Sequence, residues 1–295
     1  MPQAKAQECS GGHGRAATGG GDTRRMPVAR FVPADAVSAT ELHASFTAAF
    51  ADYLIGPFRL PLAQWPVFLA RQGPDGIAAF ALVAPRGDCA SWRLGTMGAL
   101  PAARGCGAAP ALLDDFIARA AGAGCARVEL ECFAQNERGL RLYRSRGFNE
   151  VTELHGYSGA SVAPGGAHGG VDESPLEEAF ERIAAVSHRR GGDLPLQVTP
   201  PSLRAQSVPL QAWTCGAAVA VTGETAPGQL TIRGLVDETP GQQDAQAIAA
   251  HLLHRFPGHA VQVPQLQRAD LGGAALQRLG FARLPLHQLL MHRPL

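Results

Sequence analysis

Leu100-Pro101-Ala102-Ala103-Arg104-Gly105-Cys106-Gly107-Ala108-Ala109 opens a stretch that runs on to Phe148, and the reading of that stretch decides the fold. It follows the pattern Arg, any two residues, Gly, any one, then Gly or Ala, and leads into an apolar helical repeat. Leu112, Leu113, Phe116, Ile117 and Ala120 share one face of a helix over 108–121, with Pro110 in the tolerant first turn. A glycine-rich turn entering a helix offers close-approaching N–H groups and the positive end of the helix dipole, which together suit a phosphate or pyrophosphate. The same residues can equally serve as a plain helix cap. Residues 128–133 alternate apolar and acidic side chains as a half-buried strand does, which puts Glu129 and Glu131 on one face. A helix over 136–146 follows, Gly147 stops it, and Phe148 enters a last strand. Asn136 and Tyr143 lie about two turns apart and project from one helix face. There they either reach a shared ligand or, respectively, cap the helix and pack beneath it.

The Arg104–Ala109 loop and the Asn136, Tyr143, Gly147-Phe148 ending together resemble the GNAT (GCN5-related N-acetyltransferase) family. The resemblance implies acetyl-CoA as cosubstrate, no metal, and a mixed sheet whose two central parallel strands diverge to leave a cleft. Gly105, Gly107, Ala108 and Ala109 would hold the pyrophosphate, while Arg104 adds charge or braces the loop. The strand ending near Met97 and Ala99 would pair with the pantetheine amides and supply an N–H to the oxyanion. Asn136 would contact the pantetheine arm, and Tyr143 would stand near the thioester sulfur as the acid that protonates the departing thiolate. An amine of pKa ~10 must lose a proton before it attacks. Glu131, five residues before Asn136, matches the base position of the ribosomal-protein alanine acetyltransferases. Glu129 on the same face is the substitute, water is a third route, and an ion pair or surface solvation is the other reading of either carboxylate. Cys132 reads as core.

Upstream, residues 28–32 form a short β-rich run, and Leu42, Phe46, Phe50 and Tyr53 mark one face of a helix over 35–53. His43 and Tyr53 either face a substrate or are, respectively, solvent-facing and core. Leu62, Trp65, Phe68 and Leu69 predict a second short helix with Pro66 near its first turn. Runs 76–84 and 90–100 flank the turn cluster Pro85-Arg86-Gly87-Asp88 and read as an antiparallel hairpin. The order is β-α-α-β-β-α-β-α-β.

Downstream, residues 158–170 are nearly all small and read as a flexible linker. Beyond it, residues 261–281 align without a gap on 128–148, pairing Gly272 with Gly139, Gly280 with Gly147 and Phe281 with Phe148. A hairpin pattern over 216–234 and a helix over 245–255 extend the repeat. This copy lacks the glycine loop over 237–247, and Ala269 and Leu276 replace Asn136 and Tyr143. Mycothiol synthases are similar in layout but keep the second copy active. The expected fold class is α/β, with two tandem GNAT-like domains, each a mixed, mostly antiparallel sheet flanked by helices. Residues 1–25 form a disordered Gly-rich extension, 26–157 an acetyl-CoA-binding domain, 158–170 the linker and 171–295 a degenerate domain.

Of 295 residues, 46% are hydrophobic and 17% charged, ample for two domains, and the net charge of +1 offers no basic face for nucleic acid or an anionic membrane. Six scattered cysteines lack metal-ligand spacing, and a cytoplasmic, reduced environment is expected. His251 and His254 have no third ligand nearby in sequence. The expected reaction is acetyl transfer to a primary amine of a small molecule by a monomer or homodimer, with Glu131 and Tyr143 catalytic. Acetylation of a protein or peptide N-terminus is an alternative. The rival is a non-catalytic acyl-CoA-binding or interaction module, since the strand over 91–100 carries no carboxylate.

Overall fold

The computed structural model describes residues 28–53, 67–73, 76–86, 88–160 and 170–295. The expectations for 1–25, for Leu62 and Trp65, and for most of the linker lie outside these residues.

In chain order the first half is β1 (Val28–Pro33), α1 (Ala39–Phe50), β2 (Val67–Gly73), β3 (Gly76–Arg86), β4 (Ser91–Ala99), α2 (Ala108–Gly122), β5 (Arg127–Phe133), α3 (Glu137–Arg144) and β6 (Asn149–Ala160). A strand buried on both faces needs a cover on each, and β3 has both. Phe80, Leu82 and Ala84 pack against Leu42, Phe46 and Phe50 of α1, while Ala79, Ala81 and Val83 pack against Leu112, Leu113 and Phe116 of α2. Ser38 starts α1 by accepting the Glu41 N–H at 3.1 Å, a side-chain N-cap.

The expected second helix is corrected: Phe68 and Leu69 belong to β2, which pairs with β1 and β3. Phe68 and Ala70 face α1 while Leu69 faces α2, a two-residue alternation that a short Pro-bounded apolar run cannot reveal by itself. The linker boundary also moves, because Ser158, Gly159 and Ala160 end β6 and pair with Gln262, Val261 and Ala260.

Among the described residues the second half repeats the order with one short helix more: β7 (Asp172–Ser174), α4 (Leu176–Arg189), α5 (Pro200–Arg204), β8 (Leu210–Cys215), β9 (Ala218–Ala226), β10 (Gln229–Val236), α6 (Gln243–Arg255), β11 (Ala260–Arg268), α7 (Gly273–Arg278) and β12 (Ala282–Pro294). All the described strands form one sheet in the order β1-β2-β3-β4-β5-β12-β6-β11-β10-β9-β8-β7. Read inward from either end, the two halves are alike, except that each is completed by the last strand of the other. β12 pairs with β5, and β6 pairs with β11.

The turn after α4 lies on the charged face of the first half. Arg86 donates to Glu129 Oε1 at 2.6 Å and to the Leu194 carbonyl at 3.0 Å, and Arg127 donates to the Gly191 carbonyl at 2.7 Å. His292 of β12 completes this cluster, 3.5 Å from Glu129 and 3.8 Å from Asp193. Burial, reinforced by Arg127, lowers its pKa from 6.5 to about 4 despite the Asp193 carboxylate. Between about pH 6.5 and about pH 4 the unfolded chain therefore binds a proton that the folded chain refuses. Stability should fall as pH drops through that window, and His292→Gln should flatten the fall. Thermal melts across the window check this, and an unchanged slope in the variant would contradict it.

Candidate functional site

Strands β4 and β5 pair in parallel only from Ser91 opposite Arg127 to Leu94 opposite Leu130. Gly95 is then left over between Leu94, opposite Val83, and Thr96, opposite Leu82, a bulge that bends β4 away. Past it the two strands have no mutual pairing, and a cleft of about 520 Å³ opens between them. The Leu100 N–H donates to the Ala78 carbonyl at 2.9 Å, so the pleat turns the Met97 and Ala99 N–H groups the other way, into the cleft.

The glycine loop closes one end of this cleft. Gly105 and Gly107 sit at φ of +80° and +83°, a region an L side chain enters only with strain. The left-handed Gly107 turns the chain into α2, and among the described residues no backbone hydrogen bond outside the helix ladders uses the Gly105, Cys106 or Gly107 N–H. The first helical N–H groups, on Ala108 and Ala109, are orphans of helix geometry, and Pro110 has none to offer. These donors and the helix dipole form an anion cradle. Arg104 braces it: the guanidinium pairs with Asp52 at 2.6 and 2.8 Å and donates to the Ala49 carbonyl at 3.0 Å. Its hydrogen bond holds the Asp52 carboxyl below the usual range.

Residues from β5, from α3 and its cap, and from just after α1 also line the cleft. Asn136 does two things: its Oδ1 accepts the Gly139 N–H at 3.0 Å and so caps α3, while its Nδ2 donates to the Tyr53 hydroxyl at 3.4 Å. Tyr53 lines the cleft, with burial pushing its phenol up to about 12. Exposed His43 is not part of the wall. Tyr143 also lines the cleft and packs edge-on against Phe148 at 5.9 Å. Burial drives its pKa far above the ordinary phenol value. Cys132 is a lining residue too, and burial raises its thiol to about 12, so it stays protonated at neutral pH.

The carboxylates part company. Glu131 lines the cleft, its Oε2 paired with Arg93 of β4 and its Oε1 buried with no hydrogen-bond partner. Glu129 is wholly buried, bound to Arg86, and absent from the wall. Sequence reasoning missed Arg93, whose sign was a cation placed by strand alternation beside the acidic strand. It also missed Gln288, which β12 brings into the wall and whose local sequence has no signal at all.

In the second half β10 and β11 also diverge, after Thr231 and Gln262, but the space is filled. Gln267 bridges it, its Nε2 donating to the Leu235 and Leu271 carbonyls at 3.1 Å each, and about 10 Å³ remains. At the start of α6 the Asp237 carboxylate accepts the Ala245 N–H at 3.0 Å and the Thr239 N–H at 2.9 Å, so an internal anion takes the place of a ligand. Among the described residues no group of three or more His, Cys, Asp or Glu could hold a metal, and no helix is long and apolar enough to cross a membrane. His251 lies against Trp213, 5.4 Å between ring centroids.

Residues 39–148 match the sequence model of the Acetyltransferase (GNAT) family. No curated protein matches the chain in sequence. Among solved structures, a GCN5-related N-acetyltransferase from Anabaena variabilis superimposes with a TM-score of 0.56 at 14% identity, over 90% of this chain and 72% of that one. Another from Kribbella flavida gives 0.55 at 15% identity over 90% and 71%, and one from Sphaerobacter thermophilus gives 0.54 at 16% over 90% and 95%. At such identities the likeness is one of fold, and it spans both halves.

A Cβ added at Gly107 would meet nothing within 4 Å, so Gly107→Ala leaves packing intact and strains only the loop. The left-handed penalty of about 1–2 kcal/mol should re-aim the N–H groups and weaken binding of a pyrophosphate-bearing ligand by roughly fivefold or more. Calorimetry checks this, and an unchanged Kd would refute the cradle.

Proposed function

We propose that the protein, whose residues 39–148 belong to the acetyltransferase (GNAT) family, transfers the acetyl group of acetyl-CoA to a primary amine of a small molecule. The observation that carries this reading is the cleft itself. It joins an anion cradle at Gly105–Ala109, free strand N–H groups at Met97 and Ala99, and a buried pair of acid–base candidates, Glu131 and Tyr143. These features fit a long, flexible thioester with a pyrophosphate at one end. The aromatic wall of Tyr53 and Phe133, whose rings lie 6.3 Å apart, and the near-zero net charge favour a small acceptor.

In this reading the cradle holds the pyrophosphate, and the Met97 and Ala99 N–H groups and the Asn136 amide position the arm. Glu131 Oε1 takes the proton that the amine nitrogen releases as the N–C bond forms. Tyr143, kept a phenol by its burial, donates to the sulfur as the C–S bond breaks, and the proton collected by Glu131 replaces the one it gives. One amine hydrogen thus ends on the CoA thiol, and the sum of protons is unchanged. The raised Tyr143 pKa means that this residue adds no falling alkaline limb to the kcat profile below about pH 10.

The test is release of CoA from acetyl-CoA over a panel of small amines and peptides. Turnover with small amines is expected, and Tyr143→Phe and Glu131→Gln should each lower kcat on the order of 100-fold. Binding without turnover for every acceptor would point to a non-catalytic module, and turnover with peptides alone would move the acceptor class. An unchanged kcat in Tyr143→Phe would remove its role.

A further inference from the structure

Among the described residues the cleft wall is built from the first half with one exception, Gln288 of β12. Gln288 stands opposite Phe133 in the β5–β12 ladder, and Leu290 stands opposite Glu131. Gln288 and Glu131 are therefore diagonal neighbours on one face of the sheet, at a spacing of about 7–8 Å that long side chains bridge. The Gln288 amide is oriented from the second half: its Nε2 donates to the Gln265 carbonyl at 2.9 Å, which lies in the irregular segment of β11. A carbonyl can only accept, so this bond fixes the amide, and among the described residues Oε1 accepts no hydrogen bond. Across from it, Glu131 Oε1 is buried and unpartnered among the described residues. Two oxygen acceptors, on Glu131 and Gln288, thus stand on one face of the sheet, beside the buried Arg93 guanidinium that pairs with Glu131 Oε2.

We propose that Gln288, delivered by the exchanged strand, is an acceptor-binding residue of the first cleft and selects primary amines. The proposal rests on the transferase reading above. A primary amine nitrogen carries two hydrogens and one lone pair. With one N–H directed to Glu131 and the other to Gln288 Oε1, the lone pair is left pointing at the thioester carbon. Glu131 then removes its hydrogen as the N–C bond forms, while Gln288 keeps its hydrogen bond and exchanges no proton. An N-methyl amine has no second hydrogen for Gln288. This also gives the second half a part in the reaction, because the strand and the Gln265 carbonyl that orient the amide both come from it.

The experiment compares wild type, Gln288→Ala and the near-isosteric Gln288→Glu on a primary amine that the wild type accepts and on its N-methyl analogue. Acetyl-CoA affinity and melting temperature are measured alongside. For the primary amine, Gln288→Ala should lower kcat/KM by about tenfold, the effect of one lost hydrogen bond. The N-methyl analogue should change less than twofold, so that the primary-amine preference collapses, with acetyl-CoA affinity unchanged. In Gln288→Glu a carboxylate faces the Gln265 carbonyl, and the same preference should fall. Equal losses on both amines, a parallel loss of acetyl-CoA affinity, or no loss at all would each overturn the proposal while wild-type turnover leaves the transferase reading standing. Absence of CoA release by wild type with any amine would overturn the reading itself and this proposal with it.

Discussion

Strand β12 is hydrogen-bonded along both edges, to β5 on one side and to β6 on the other. Without it β5 would be an open edge beside the cleft, and β6 would lose one of its two partners. An unpaired strand edge is an invitation to foreign pairing. Here the need is met inside one chain, by crossing the two last strands. The consequence is that neither half owns a complete sheet, and the wall that carries Glu131 is backed by a strand from more than 150 residues downstream. The buried ions follow the same logic: Glu129 is enclosed by Arg86 and by His292 of β12, under a turn contributed by the second half. Buried charges of this kind persist only when paired.

The same frame is filled in two ways. In the first half a bulge at Gly95 parts β4 from β5 and a left-handed glycine loop leaves N–H groups unspent. In the second, Asp237 spends the corresponding N–H groups on itself and Gln267 spans the parted strands. A cleft in this fold is therefore not a property of the strand order. It depends on whether the chain's own side chains occupy the helix N-terminus and the gap between the parted strands.

Local chemistry was readable in the residues and long-range placement was not. The glycine loop, the α3 cap at Asn136 and the acidic face of β5 each depend on neighbours a few residues apart. The repeat over 261–281 was likewise readable, since it preserves glycines at matching turns. Strand β2 was misread because a short apolar run beside Pro66 fits a period of 3.6 as well as a period of 2, and only the helices covering both of its faces decide between them. The exchange of β6 and β12 leaves no trace in sequence, because pairing register depends on which edge is vacant. For the same reason Gln288 could not be assigned to the cleft, nor Arg93 to Glu131.

The central claim is that the first cleft receives the cofactor and the second is closed by its own side chains. Amide hydrogen exchange with and without acetyl-CoA tests it most directly. Protection should rise at Met97, Ala99 and Gly105 through Ala109, and should not change at the start of α6 around Asp244 and Ala245. Protection at α6, or none at the glycine loop, would contradict the account.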